Sequence, residues 1–294
     1  MTKLALDMLN KVAAKEFVAA LGDVFEHSPW VAERIATKRP FASVRALLDA
    51  MTEAIRAASK EEQKALLRAH PDLAGKAACA GKLTKDSTAE QVSAGLDQLS
   101  EREFESFQGF NTNYQKKHGI PFIVCVRRHT KDSILQQFAK RLDSSAAQEF
   151  ETALSEVFRI AALRLDQKIE SADLGLNGRL STHVLDNHAG RPAQGLWLAL
   201  RELSGHDEPR LIARIQTNAD GRTDVPLISG RPVPIGQYEI LFAVADYYRD
   251  RNVPLAEPPF LDVVPIRFSI AEPEGHYHVP LLVTPWSYGT YRGS

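Results

Sequence analysis

His70 lies in Leu67-Arg68-Ala69-His70-Pro71-Asp72-Leu73-Ala74, directly after the helix-like run Glu61–Ala69. The residue before a proline is pushed away from helical geometry, so the imidazole falls at a helix end. There it can face a cleft and work as an acid or base near neutral pH. The competing reading is a helix-terminal histidine that only interacts with the local dipole. Glu90 follows Ser87 by three residues, the spacing of a capping box, and that structural role alone would account for it. Arg164 continues the apolar stripe Phe150, Leu154, Val157, Ala161, so its guanidinium emerges from a buried helix face. Such a group must be paired or face a polar pocket. An internal carboxylate such as Glu90 and an anionic substrate are both candidates, and spacing does not choose between them. Arg159 lies off this stripe and reads as solvated surface.

A second set lies near the C-terminus. His183 shares a strand face with Ser181 and Leu185, and His276 and His278 share a face two residues apart. Two histidines at this spacing with a distant third could form a three-histidine zinc site; scattered strand histidines are the plainer reading. Arg222 closes the turn Asn218-Ala219-Asp220-Gly221-Arg222, where Asp-Gly favours a loop. His188 belongs to the turn Asp186–Gly190 and reads as surface. The sequence stops at Tyr291-Arg292-Gly293-Ser294, with a small hydroxyl residue beside a free carboxylate, where most termini are frayed.

The elements that must carry these groups differ in kind. Residues 1–178 contain four of the 16 prolines and the remaining 116 residues contain twelve. Proline is costly inside helices and common at strand edges and turns. The first part is therefore expected to be mostly α. The stripes Phe17, Leu21, Val24, Phe25 and Phe104, Phe107, Asn111, Tyr114 have helical spacing. The second part is expected to be mostly β: Tyr238, Ile240, Phe242 and Val244 alternate with Glu239, Leu241 and Ala243, and Ile266, Phe268 and Ile270 with Arg267 and Ser269. Asp166–Gly178, polar and then glycine-punctuated, reads as a linker. The boundaries expected are a helical domain over 1–166, a linker over 167–178 and a β domain over 179–294.

Composition narrows the partners. Hydrophobic residues make up 44% and charged residues 25%, with a net charge of −1, which provides no global field for nucleic acid or an anionic membrane. No run approaches the roughly 20 apolar residues of a membrane span, and the N-terminus lacks a signal-peptide core. Cys79 and Cys125 read as buried reduced thiols. A soluble protein of a reducing compartment is expected, cytoplasmic or, for a eukaryotic source, peroxisomal, although no SKL-type address is present.

The segments HPDLAGKAA, STAEQVSAGL, FNTNYQKKHGIPFIVCV and FRIAALRL, with FEHSPWVAE nearer the start, resemble 2-oxo-4-hydroxy-4-carboxy-5-ureidoimidazoline (OHCU) decarboxylases over about residues 8–168. The resemblance implies an all-α, bundle-like domain with His70 as the central catalytic residue. It implies that Glu90, Gln91, Ser87 and Arg164 bind and orient substrate, and that Pro71 and the Phe122-Ile123 backbone line the pocket. The substrate carries its own electron sink, a ring C=N beside the carboxylated carbon, so no cofactor is implied.

LSTHVLDNHAGRPAQGL, NADGRT and HYHVPLLVTPWSYGTYRGS resemble 5-hydroxyisourate hydrolases, the enzymatic branch of the transthyretin family, over about residues 179–294. This resemblance implies a β-sandwich whose catalytic set is His183, Arg222 and His278, with Tyr291, Arg292 and Ser294 of the tail completing the pocket. One histidine would activate water while Arg222 steadies the oxyanion; His183 is expected to orient and His278 to work with the tail. It further implies no metal, and tetramers with sites at subunit interfaces. A dimer through the helical domain is a further expectation. Together the resemblances imply a multidomain enzyme of urate breakdown acting on two small molecules in turn, with neither nucleic acid nor membrane as partner. The alternatives are a transthyretin-like ligand-binding module with a helical interaction domain, and a zinc-dependent cyclic amide hydrolase using His183, His276 and His278.

Overall fold

The computed structural model describes residues 3–74, 83–170, 174–204 and 208–293. It divides into two compact units, Met1–Arg127 with Ser133–Gly175, and Arg128–Asp132 with Leu176–Ser294.

The first unit is helical: α1 (Leu6–Lys11), α2 (Ala14–Leu21), α3 (Trp30–Ile35), α4 (Val44–Arg56), α5 (Lys60–Arg68), α6 (Lys85–Ser93), α7 (Glu101–His118), α8 (Lys131–Leu142) and α9 (Ala146–Lys168). Their starts are specified locally. The Ser59 hydroxyl accepts the Glu62 amide at 3.3 Å while the Glu62 carboxylate accepts the Ser59 amide at 2.9 Å, closing a reciprocal cap. Ser100 with Glu103 and Ser145 with Gln148 do the same for α7 and α9. The long helix α9 packs against α4, α5 and α7. Its buried face carries Leu154, Val157, Ala161 and Arg164, the stripe that the 3.6-residue period indicates. It runs to Lys168, two residues into the segment expected as linker.

The second unit holds β1 (Gly178–Asp186), β2 (Arg191–Pro192), β3 (Trp197–Leu203), β4 (Arg210–Gln216), β5 (Ile228–Arg231), β6 (Gly236–Ala243), α10 (Val244–Arg249), β7 (Val263–Ile270), β8 (His276–Val283) and β9 (Tyr288–Gly289). One sheet has the order β2-β1-β8-β9 with β5 also on β1, and the other β4-β3-β6-β7. Leu180, Val184, Leu281 and Val283 of the first sheet share a core with Leu198, Leu200, Tyr238, Ile240, Phe242 and Ile266 of the second. This makes the unit a sandwich. Val244 departs from the expected alternation, because it opens α10 instead of extending β6. That helix is pinned by Asp186, whose carboxylate accepts the hydroxyls of Tyr247 at 3.0 Å and Tyr248 at 2.9 Å. Alternation leaves Arg179, Ser181 and His183 on the open face of β1 while Leu180, Thr182 and Val184 are buried. Among the described residues no helix is long and apolar enough to cross a membrane.

Candidate active sites

In the helical unit His70, Pro71, Ser87, Glu90, Gln91, Phe122, Ile123 and Arg164 line one cavity. His70 follows the end of α5, where its Nδ1–H donates to the Leu66 carbonyl at 3.0 Å. Because a carbonyl can only accept, Nδ1 carries the proton and Nε2 keeps its lone pair in the neutral ring. The ring is 8% exposed, and burial pushes its pKa down to about 4, against the opposing hydrogen bond to Leu66 and the charge of Glu26. At neutral pH His70 is therefore an uncharged acceptor. His70 thus sits at the helix end, and its bond to the backbone fixes the tautomer that leaves Nε2 as the acceptor.

Ser87 and Glu90 do not form a capping box. Helix α6 begins at Lys85, and its cap is Thr84, whose hydroxyl accepts the Ser87 amide at 3.3 Å. Ser87 and Glu90 instead sit one turn apart on one face, turned towards Arg164. Arg164 is paired with internal carboxylates, and every N–H of its guanidinium is used. Nε and Nη2 bind the two Glu90 oxygens at 2.8 and 2.9 Å. Nη1 binds Glu26 at 2.9 Å and the Val24 carbonyl at 3.4 Å, and Nη2 also reaches the Ser87 hydroxyl at 3.3 Å. Burial alone would lower the pKa of this group; the bonds and charges of Glu90 and Glu26 outweigh it and raise the value.

Glu26 is the member of this site that spacing does not reveal. It is 3% exposed and accepts from Thr84 at 2.7 Å and Ser87 at 3.1 Å as well as from Arg164. Burial acts to raise its pKa, but Thr84 and Arg164 prevail and hold the carboxyl below its usual range. The one available signal is an acidic residue that follows the apolar pair Val24-Phe25 at the start of FEHSPWVAE. By taking the Ser87 proton, Glu26 leaves the Ser87 oxygen with acceptor capacity only.

Two further networks set the walls. The Gln91 carbonyl accepts the Ala74 amide at 3.0 Å and its amide reaches the Asp72 carbonyl at 3.4 Å, holding the segment after Pro71. Buried Arg141, ion-paired with Glu149, donates to the Ile123 carbonyl at 2.7 Å and lies over the Phe122 ring. It fixes the Phe122-Ile123 backbone from behind. Cys125 is buried; Cys79 lies outside the described residues.

In the sheet unit Arg179, Ser181, Arg222, His276, Tyr277 and His278 line a cavity of about 250 Å³. The parallel register of β1 and β8 sets Ser181 opposite His278 and Arg179 opposite His276. Ser181 Oγ lies 3.0 Å from His278 Nδ1, so the ring is oriented by its neighbour across the ladder. Arg222 is brought beside β1 by Gly221. The Val184 amide donates to the Gly221 carbonyl at 2.8 Å, and Gly221 has φ +69° with a Cβ position only 2.3 Å from the Val184 oxygen. No side chain fits there, and the result is a bridge between His183 and Arg222. His183 does not line the cavity in one chain, and its Nε2 is buried without a partner. Burial and then Arg222 lower the pKa of both His183 and His278.

The tail is fixed by Gly293, whose amide donates to the His278 carbonyl at 2.9 Å. A Cβ there would come within 2.8 Å of the His278 ring, which explains a glycine in this tetrapeptide. Arg292 stacks on Tyr277 with 4.9 Å to the ring centroid, while Tyr291 is 60% exposed. Neither lines the cavity, and Ser294 lies outside the described residues. Among the described residues no three His, Cys, Asp or Glu side chains gather to hold a metal ion; His183, His276 and His278 do not converge into a ligand set.

The helical unit thus carries a cavity around His70 and Arg164, and the sheet unit one around His278 and Arg222, the arrangement of a two-site enzyme. The chain belongs to the OHCU decarboxylase family, whose model matches residues 10–166, and to the HIUase/Transthyretin family, matched over 180–293. Its helical part is 44% identical over 171 residues to 2-oxo-4-hydroxy-4-carboxy-5-ureidoimidazoline decarboxylase of Haloferax volcanii, covering 58% of this chain and 99% of that protein. Its sheet part is 52% identical over 118 residues to 5-hydroxyisourate hydrolase 2 of Rhizobium meliloti, covering 40% of this chain and 98% of that protein. The crystal structure of (S)-allantoin synthase matches 99% of this chain and 100% of its own, with 34% identity and a TM-score of 0.52.

Proposed function

We propose that this chain catalyses two consecutive steps of urate breakdown. The sheet unit hydrolyses 5-hydroxyisourate to OHCU, and the helical unit decarboxylates OHCU to (S)-allantoin. The observation that carries this reading is that His70, Ser87, Glu90 and Arg164 gather on one cavity while Arg222 and His278 gather on another.

In the decarboxylase the cavity presents acceptors: His70 Nε2, the Ser87 oxygen and the Glu90 carboxylate. OHCU matches them with donors, namely its hydroxyl, its ureido nitrogen hydrogens and its ring N–H. The substrate hydroxyl donates to His70 Nε2. As the bond to CO2 breaks, its electron pair forms a ring C=C, and the former C=N nitrogen takes a proton. Transfer of the hydroxyl proton then leaves a carbonyl, and protonation of the ureido-bearing carbon on one face gives one enantiomer. Arg164 works by orienting Glu90 and Ser87, and Gln91, Pro71, Phe122 and Ile123 shape the walls.

In the hydrolase a neutral histidine takes a proton from water as it adds to the lactam carbonyl, and Arg222 stabilises the oxyanion. The C–N bond breaks, the nitrogen gains a proton, and the acid formed ionises. His278, oriented by Ser181, is assigned to water activation with the tail, Ser294 included, and His183 to orientation. Assembly as a homotetramer through this unit is part of the reading, with a dimer through the helical unit. Trp286, Tyr288 and Tyr291 are 59%, 48% and 60% exposed, and large exposed aromatic side chains of this kind suit protein contacts.

The test follows 5-hydroxyisourate optically after urate oxidation. The purified chain is expected to accelerate its loss and to deliver optically active allantoin. Loss at the spontaneous rate with racemic product would refute the assignment.

A further inference from the structure

The cationic groups of the sheet cavity outnumber what the oxyanion step uses. Arg179 and Arg222 both line it, and neither guanidinium has a hydrogen-bond or ion-pair partner among the described residues. Arg222 has the oxyanion to stabilise; Arg179 has no assignment. An exposed arginine at a strand start is ordinarily solvated surface. Arg179 differs in its placement: it sits on the open face of β1 two residues from Ser181, about 7 Å along the strand, with Ser181 bonded to His278. Both arginines act electrostatically on His278, so both lie within reach of its chemistry. Two guanidiniums that line one cavity without a carboxylate partner among the described residues repel each other, and an anion between them relieves that cost.

We propose that Arg179 is the carboxylate-binding residue of the hydrolase, holding the anionic group that ring opening creates while Arg222 holds the oxyanion that precedes it. The inference rests on the hydrolase reading above. The balance of the reaction supports it: water adds, the C–N bond breaks, the nitrogen takes one of the water protons, and the new carboxylic acid releases the other to leave one negative charge. A planar fork of N–H donors suits a carboxylate better than a point charge does.

The test compares the full chain with Arg179→Gln, Arg179→Ala and Arg179→Lys, using 5-hydroxyisourate generated from urate. On a His70→Ala background, where OHCU persists, the two neutral variants are expected to weaken product inhibition of hydrolysis by OHCU about tenfold, the scale of a lost charge-assisted hydrogen bond in a partly solvated site. Their kcat should stay within about twofold, because the oxyanion donor is retained. Arg179→Lys should recover part of the loss, and added salt should weaken the unaltered enzyme more than the neutral variants. Decarboxylation of OHCU should be unchanged in all three, and the retained kcat of hydrolysis reports an intact sheet unit. An OHCU inhibition constant within about twofold of that of the unaltered hydrolase site in both neutral variants would overturn this role. Failure of the unaltered chain to hydrolyse 5-hydroxyisourate would instead overturn the functional reading on which it rests.

Discussion

The two sites treat positive charge in opposite ways. In the helical pocket the guanidinium of Arg164 is held by Glu26 and Glu90 and has no N–H to spare. In the sheet cavity Arg179 and Arg222 face the open space without a carboxylate partner among the described residues. The difference matches the chemistry proposed for each. Hydrolysis develops negative charge on an oxygen and ends with a new carboxylate, so uncommitted cations lower the barrier and hold the product. Decarboxylation removes a carboxylate and disperses its charge into a ring. A free arginine there would stabilise the starting carboxylate more than the dispersed charge of the transition state, and binding of that kind does not accelerate the step. Arginine in a site is therefore no signature of anion binding until its partners are known.

Substitutions can break this contrast. The largest effect is expected from His70→Ala, which should slow decarboxylation about a thousandfold, within the range for a lost general base. OHCU should then accumulate in the optical assay while 5-hydroxyisourate disappears at an unchanged rate. If both steps fell together with the fold intact, the idea of independent sites would be lost. Arg222→Ala should do the reverse, slowing hydrolysis about a hundredfold as for a removed oxyanion donor and sparing decarboxylation. An equal loss in the two steps, measured on each substrate separately, would contradict the assignment.

Glu26→Gln probes the cancelled charge directly. Decarboxylation should fall about tenfold, chiefly in kcat, as Arg164 and Ser87 lose their common anchor. Urea unfolding should show a loss of about 3 kcal/mol for a broken buried ion pair. Unchanged kcat with lowered stability would mark Glu26 as scaffold alone.

The smallest expected effect is in the pH profiles. With His70 pushed down to about 4, decarboxylation should stay level from about pH 8 to about 5 and decline through about 4 as Nε2 is protonated. A midpoint near the ordinary histidine value of about 6.5 would mean that the pocket does not desolvate the ring. Stability carries the same signature. The folded pKa lies below the unfolded value, so the unfolded chain takes up the proton first. The chain therefore loses stability as pH falls from about 6.5 to about 4, a slope that His70→Gln should flatten in denaturant titrations.

Much of this is legible in one dimension because its causes are local. The α and β regimes come from proline placement and side-chain period, and the end of α5 from Pro71. The face that carries Arg164 is set by four apolar residues at helical spacing. Spacing presents Ser87 and Glu90 as a cap, but Thr84 lies three residues before Ser87 and caps the helix first. Alternation extends the strand through Val244, since it does not register that the chain turns into α10. That turn is held by Asp186, 61 positions before Tyr247 in the sequence.

The sequence by itself therefore determined the architecture of each half, the presence of the reactive side chains, and the glycines that only certain contacts require. Tertiary structure decided what state those side chains are in. Arg164 meets Glu26 across 138 residues and Glu90 across 74. His70 loses its charge through burial, and Arg222 meets His183 because Gly221 lets two backbones touch. Charge, tautomer and hydrogen-bond polarity depend on groups that come within a few ångströms only after folding. A period along the chain carries no record of them.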